Sequence, residues 1–124
     1  MEPIRVMISE NCGAFATLLS QRLEMYPDIR VIGVVGNGSD TLRMLPLLKP
    51  DVLLLDIVMP QLDGLEVLRQ MRLAGIDTTT YVISALSSDD MVRRALALGA
   101  RYYFVKPFST DSMAKCICEA HILH

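Results

Sequence analysis

The run Val52-Leu53-Leu54-Leu55 ends on Asp56. Four consecutive apolar residues without polar alternation read as a strand covered on both faces, the condition of a strand inside a parallel sheet. An aspartate is poor in strands and costly to bury unpaired. At the carboxyl end of such a strand it stands where open α/β sheets bind their ligands. The plainer alternative is an N-cap for a following helix. However, Met59-Pro60-Gln61-Leu62-Asp63-Gly64 intervenes before any helical pattern begins, so Asp56 is read as functional.

What surrounds this junction is strict alternation. Ile4 to Ile8 reads as a first strand and Ala14 to Met25 as a helix, with Phe15, Leu18, Leu19 and Leu23 near helical spacing. Arg30 to Val35 is a second strand, closed by the turn signal Gly36-Asn37-Gly38. A second helix spans Ser39 to Leu48 with Ser39 as its cap, and Pro46 should end or kink it. Strand three is Asp51 to Asp56. Helix three is Gly64 to Ala74, with Gly75 as its stop and Leu65, Val67, Leu68 and Met71 on its inner face. Thr80 to Ser84 is strand four. Helix four starts at Ser88, has Asp89 and Asp90 in its first turn, turns Val92, Ala95 and Leu96 inward, and stops at Gly99. Arg101 to Val105 is strand five. Ser109 or Thr110 caps helix five, which shows Met113, Cys116, Ile117 and Ala120 on one face. Five strands alternating with five helices imply right-handed crossovers: a doubly wound five-stranded parallel sheet, order 2-1-3-4-5, of the flavodoxin-like class.

Composition narrows the function classes. A chain of 124 residues is one domain, residues 1–124, and can bury a real core without staples. A net charge of −2 gives no electrostatic footprint for nucleic acid. No apolar run approaches the length of a membrane span, and Met1-Glu2-Pro3 does not open a signal peptide, so a cytoplasmic domain is expected. Cys12, Cys116 and Cys118 make no disulfide framework. On a helix the last two point about 200° apart, so one metal would not bind both. The eight methionines most simply fill gaps in the core. His121 and His124 lie at the end with no partner pattern and carry no assignment.

The polar residues fall where each strand ends. Glu10 and Asn11 follow strand one, Asp56 ends strand three, Ser84 ends strand four, and Lys106-Pro107 follows strand five. In a sheet of order 2-1-3-4-5, strands one and three straddle the switch point, so Glu10, Asn11 and Asp56 should converge, flanked by Ser84 and Lys106. Clustered carboxyl oxygens without His or Cys suit a hard cation such as Mg²⁺. A lysine and a hydroxyl suit phosphoryl oxygens, and a carboxylate can accept a phosphoryl group as nucleophile. Metal and lysine would neutralise the charge that develops during transfer.

With these residues in place the chain resembles the response-regulator receiver domains of two-component signalling. The resemblance rests on Glu10-Asn11, on LLLDIVMPQLDGLEVL around Asp56, on Ser84 in ISA, and on YYFVKPF around Lys106. The segments VIGVVGNGSDTL, PDVLLLDIVMPQLDGLEVL and LGARYYFVKPF are most similar to receivers of sporulation-type transcription regulators. The resemblance implies that Asp56 takes phosphate from a phosphohistidine on a histidine kinase or phosphotransferase. It implies that Glu10, Asn11, Asp56 and the Val58 backbone carbonyl hold a divalent cation, Mg²⁺ before Ca²⁺. Ser84 and Lys106 would contact the phosphoryl group, Tyr103 would be the aromatic that changes rotamer, and Lys106-Pro107 would be a cis bond. Turnover would be limited to self-phosphotransfer and autodephosphorylation, so the domain would not be an enzyme. DNA would be bound only through a C-terminal effector domain beyond residue 124, and a homodimer would form through helix four, strand five and helix five. On strand five, Tyr103 and Phe104 should face opposite sides, Phe104 to the core and Tyr103 to the rim near helix four.

One departure matters. Receivers usually carry two acids after strand one, and the second is here Asn11. Its carbonyl can still ligate, but one negative charge is missing, worth up to about 4 kcal/mol at contact near a surface before desolvation is subtracted. A weak cation site is expected. Gly13 also weakens the start of helix one. Two functions follow from different classes: a phosphorylatable switch, and a pseudo-receiver that uses the fold only to bind protein. A flavodoxin-like redox protein would need a hydroxyl- and glycine-rich cradle in place of Glu10-Asn11-Cys12-Gly13. An aspartyl phosphatase would want an acid where Val58 stands.

Overall fold

Ten elements alternate without exception in the computed structural model, which describes residues 2–122. They are β1 (Ile4–Ser9), α1 (Gly13–Leu23), β2 (Ile29–Val35), α2 (Gly38–Leu48), β3 (Val52–Asp56), α3 (Gly64–Leu73), β4 (Thr79–Ser84), α4 (Asp89–Ala97), β5 (Tyr102–Val105) and α5 (Thr110–Ile122). The strands form one parallel sheet in the order β2-β1-β3-β4-β5. His124 lies outside the described residues. Among those residues no helix is long and apolar enough to cross a membrane.

Side chains alternate along each strand, so every central strand feeds two cores. Val52 and Leu54 of β3 join Val6, Ile8, Tyr81 and Ile83 beneath α1 and α5. Leu53 and Leu55 join Met7 and Val82 beneath α2, α3 and α4. All five residues of β3 are buried, which is why that strand carries no polar alternation. The same parity sorts the strand ends. Glu10 continues the row of Ile8, Asp56 that of Leu54 and Lys106 that of Phe104, all on the α1/α5 side. Ser84 continues the row of Val82, and Tyr103 packs with that opposite core.

Two helix stops match the sequence. Gly75 (φ 73°) and Gly99 (φ 108°) sit in the left-handed region just past α3 and α4. Each helix end turns back in a Schellman pair: Gly75 N–H to Arg72 and Ile76 N–H to Met71, Gly99 N–H to Leu96 and Ala100 N–H to Ala95. Ser88 caps α4 and Ser109 caps α5.

Several local expectations are corrected. Asn37, not Ser39, caps α2, its side chain accepting from the Asp40 N–H at 2.7 Å. The helix starts one residue earlier, at Gly38, which abuts the β3–α3 loop, where a Cβ would lie 2.0 Å from the Leu62 carbonyl oxygen. Pro46 does not end α2, which continues to Leu48. Pro46 is exposed near the last turn, and Arg5 satisfies the terminal carbonyls of Leu48 and Lys49 from β1. Helix α1 ends at Leu23, short of Met25, which is exposed. Leu96, expected to face inward, is 45% exposed, and Leu18, which fits the helical spacing of α1, is 49% exposed. Ala16 takes the inner place on α1, and Met91 and Leu98 pack inward around α4.

Candidate functional site

Three polar side chains of the α1/α5 face meet above the C-terminal edge of the sheet. Glu10 follows β1 and Asp56 ends β3, straddling the point where the strand order reverses. Both are buried, at 2% and 4% exposure. The Lys106 ammonium donates to Glu10 Oε1 and stands 3.8 Å from Asp56 Oδ2. The second Glu10 oxygen accepts the Cys12 N–H at 2.9 Å, and Asp56 Oδ1 accepts the Val58 N–H at 3.2 Å. Backbone spacing supports this arrangement. Gly64 opens α3 directly behind the aspartate, and a Cβ there would lie 2.5 Å from the Asp56 carbonyl oxygen.

Charge is out of balance at this point. Two buried carboxyls share one lysine. Burial, and then the neighbouring Glu10, push the Asp56 carboxyl up from 3.8 to about 6, against the opposing pull of Lys106. Excess negative charge held in a buried oxygen cluster is what a hard divalent cation relieves. Among the described residues, however, no three His, Cys, Asp or Glu gather in one place. The carboxylate donors are Glu10 and Asp56. The Asn11 amide, exposed on the turn after Glu10, and the Val58 carbonyl, on an exposed residue two beyond Asp56, are the oxygens that would complete a set. The donors fit Mg²⁺ in kind and fall one charge short of a three-carboxylate site.

Ser84 and Tyr103 form a second group on the other face. Ser84 is fully buried. Its hydroxyl oxygen accepts the Leu86 N–H at 3.0 Å, and its carbonyl accepts the Lys106 N–H at 2.8 Å. The Tyr103 hydroxyl donates to the Leu86 carbonyl at 2.6 Å. Leu86 thus ties the hydroxyl at the end of β4 to the ring on β5. Phe104 faces the opposite side, partly buried against the α1/α5 core. The Lys106-Pro107 bond is cis.

The structure therefore gathers the side chains of Glu10, Asp56 and Lys106, and it ties Ser84 to Lys106 through the backbone while the Ser84 hydroxyl stays on the other face. It leaves Asn11 at the exposed margin. One neighbour was not anticipated: the Phe15 ring, whose centroid lies 4.5 Å from the Lys106 ammonium. Its place in the apolar stripe of α1 reads only as core, and no local signal points it at a lysine ninety-one residues later.

Known proteins share this fold. The profile of the response regulator receiver domain family matches residues 6–117. The signal receiver domain of NarL from Mycobacterium tuberculosis superposes with a TM-score of 0.91 at 27% identity, covering 97% of each chain. The receiver domain of a DNA-binding response regulator (merR) from Colwellia psychrerythraea gives 0.85 at 29%, covering 95% of this chain and 98% of that one. The response regulator domain of Thermotoga maritima CheB gives 0.84 at 26%, covering 96% and 93%.

Proposed function

The chain belongs to the response regulator receiver domain family, and from that premise we propose that it is a phosphoacceptor switch with Asp56 as its acceptor. The observation that carries the reading is the Glu10–Lys106–Asp56 cluster: a buried carboxylate at the switch point, with an ammonium 3.8 Å away. Receiver domains work with histidine kinases and phosphotransferases and generally bind Mg²⁺ at the phosphorylation site. In this chain the cation would be held by Glu10, Asp56, Asn11 and the Val58 carbonyl. When bound it neutralises charge on the phosphoryl oxygens.

The remaining chemistry belongs to the side chains. An Asp56 carboxylate oxygen attacks phosphorus, the phosphorus–nitrogen bond to the donor imidazole breaks, and an acyl phosphate remains on Asp56. Attack requires the ionised carboxylate, which Lys106 favours against burial and the neighbouring Glu10. Lys106 turns from Glu10 toward the new oxygens. Ser84 donates its hydroxyl to one of them and gives up the Leu86 N–H that it now accepts. The Leu86 carbonyl then shifts, and the Tyr103 hydroxyl loses its anchor. The ring can swing inward and reshape the surface of α4, β5 and α5. That surface exposes Arg93, Arg94, Lys115 and Glu119 beside the apolar Leu96, Tyr102 and Val105, a mixture suited to a second copy or an effector.

The domain catalyses only its own phosphorylation and dephosphorylation. Its sequence resembles the receiver of stage zero sporulation protein A, the sporulation master regulator. That likeness supports a cytoplasmic, sporulation-type transcription regulator whose DNA-binding domain lies C-terminal to this one. Asn11 favours a second reading, the pseudo-receiver that binds protein without phosphate. Incubation with acetyl phosphate and Mg²⁺ followed by intact mass separates the two. The switch gains one phosphoryl mass, and Asp56→Asn gains none. Equal labelling of that variant would refute the assignment, and an inert wild-type chain would favour the pseudo-receiver.

A further inference from the structure

Lys106 is held on three sides, and only two of them are carboxylates. The third is the face of Phe15, 4.5 Å from ammonium to ring centroid. Phe15 stands in the first turn of α1 and is partly buried against the α1/α5 core. Its ring is fixed from the side by Phe108, edge to face, with centroids 5.8 Å apart and planes at 84°. Phe108 packs on Phe104 at 5.9 Å, and Phe104 on Tyr81 at 6.0 Å. The ring is therefore braced through three aromatic contacts to the middle of β4.

A lysine needs such a brace. Its four-carbon stem is flexible, and its ammonium is a point charge without the directional fork of arginine. Glu10 and Asp56 compete for it, and the nearer one wins, since Lys106 bonds Glu10 and leaves Asp56 at 3.8 Å. The aromatic face offers no proton acceptor to capture the ammonium. It attracts the charge through the ring quadrupole and shields one side of it from water.

We propose that Phe15 is a positioning residue for phosphoryl transfer, its ring face holding the Lys106 ammonium between Glu10 and Asp56. This rests on the reading of Asp56 as phosphoacceptor. The competing account makes Phe15 an apolar wedge between α1 and the β5–α5 loop. A wedge depends on ring size, whereas a charge-holding face depends on the electron density of the ring.

Fluorination separates these. Mono-, di- and trifluorinated phenylalanine at position 15 drains the ring face with little change in volume. Phosphoryl uptake from acetyl phosphate at saturating Mg²⁺ is measured across the series, in the wild-type and Lys106→Ala backgrounds. The rate should fall stepwise, by about fivefold in total. Phe15→Trp should keep it, and the Lys106→Ala series should be flat. Independently of phosphate, ring current should move the Lys106 Cε proton resonances upfield, and Phe15→Leu should abolish that shift. A flat wild-type series overturns the role of Phe15 alone, as does an equal fall in the Lys106→Ala background. A wild-type chain that takes up no phosphoryl overturns the phosphoacceptor reading, and this role with it.

Discussion

Replacing Asp56 by Asn should make the protein more stable at neutral pH, although it removes the proposed acceptor. Asp56 is 4% exposed, and its carboxyl is raised from 3.8 to about 6, first by burial and then by Glu10. Because the folded value lies above the unfolded one, the native chain binds more protons between the two. Stability is then highest, as far as this group is concerned, below pH 3.8 and is lost as pH rises through about 6. About two pKa units correspond to about 3 kcal/mol. Asparagine keeps the shape without the charge. Lys106 retains Glu10 as a partner, so little of the gain is lost through an orphaned ammonium. Urea denaturation in EDTA at constant ionic strength, at several values from about pH 4.5 to about pH 8, measures the difference. We expect Asp56→Asn to exceed wild type by about 1–3 kcal/mol near pH 7.5, with the gap closing toward acid. Mg²⁺ should then stabilise wild type, by mass action, far more than the variant. Equal stabilities at neutral pH, or a gap that does not change with pH, would show that Asp56 carries no burial penalty.

Two further outcomes follow from single residues. Asn11→Asp should tighten Mg²⁺ binding by adding a carboxylate at the margin of the cluster, as checked by titration at matched ionic strength; no gain would place Asn11 away from the cation. Tyr81→Phe should raise stability by about 1 kcal/mol in thermal or urea unfolding, because the Tyr81 hydroxyl is fully buried and has no hydrogen-bond partner among the described residues; a loss instead would reveal a bond to buried water.

Local rules placed much of this molecule. The apolar run of β3, the glycines past α3 and α4, and the serines before α4 and α5 were legible because each acts on its own few residues. Side-chain alternation is also local, and once the sheet order is known it sends Glu10, Asp56 and Lys106 to one face. Turn and cap choices were less legible where two signals compete. Asn37 prevailed over Ser39 because its backbone is extended and its side chain reaches the Asp40 N–H, while Leu62, twenty-four residues past Gly38, leaves no room for a Cβ at the glycine between them. Leu18 and Leu96 fit their helical stripes yet face solvent, since the width of a buried stripe depends on what packs over it. Which carboxylate Lys106 bonds, and which ring lies beneath it, depended on distances between α1, β1, β3 and the turn after β5. The sequence by itself determined which groups reach the site. Only tertiary packing decided how they pair there, because pairing energies depend on sub-ångström separations between elements that are far apart in the chain.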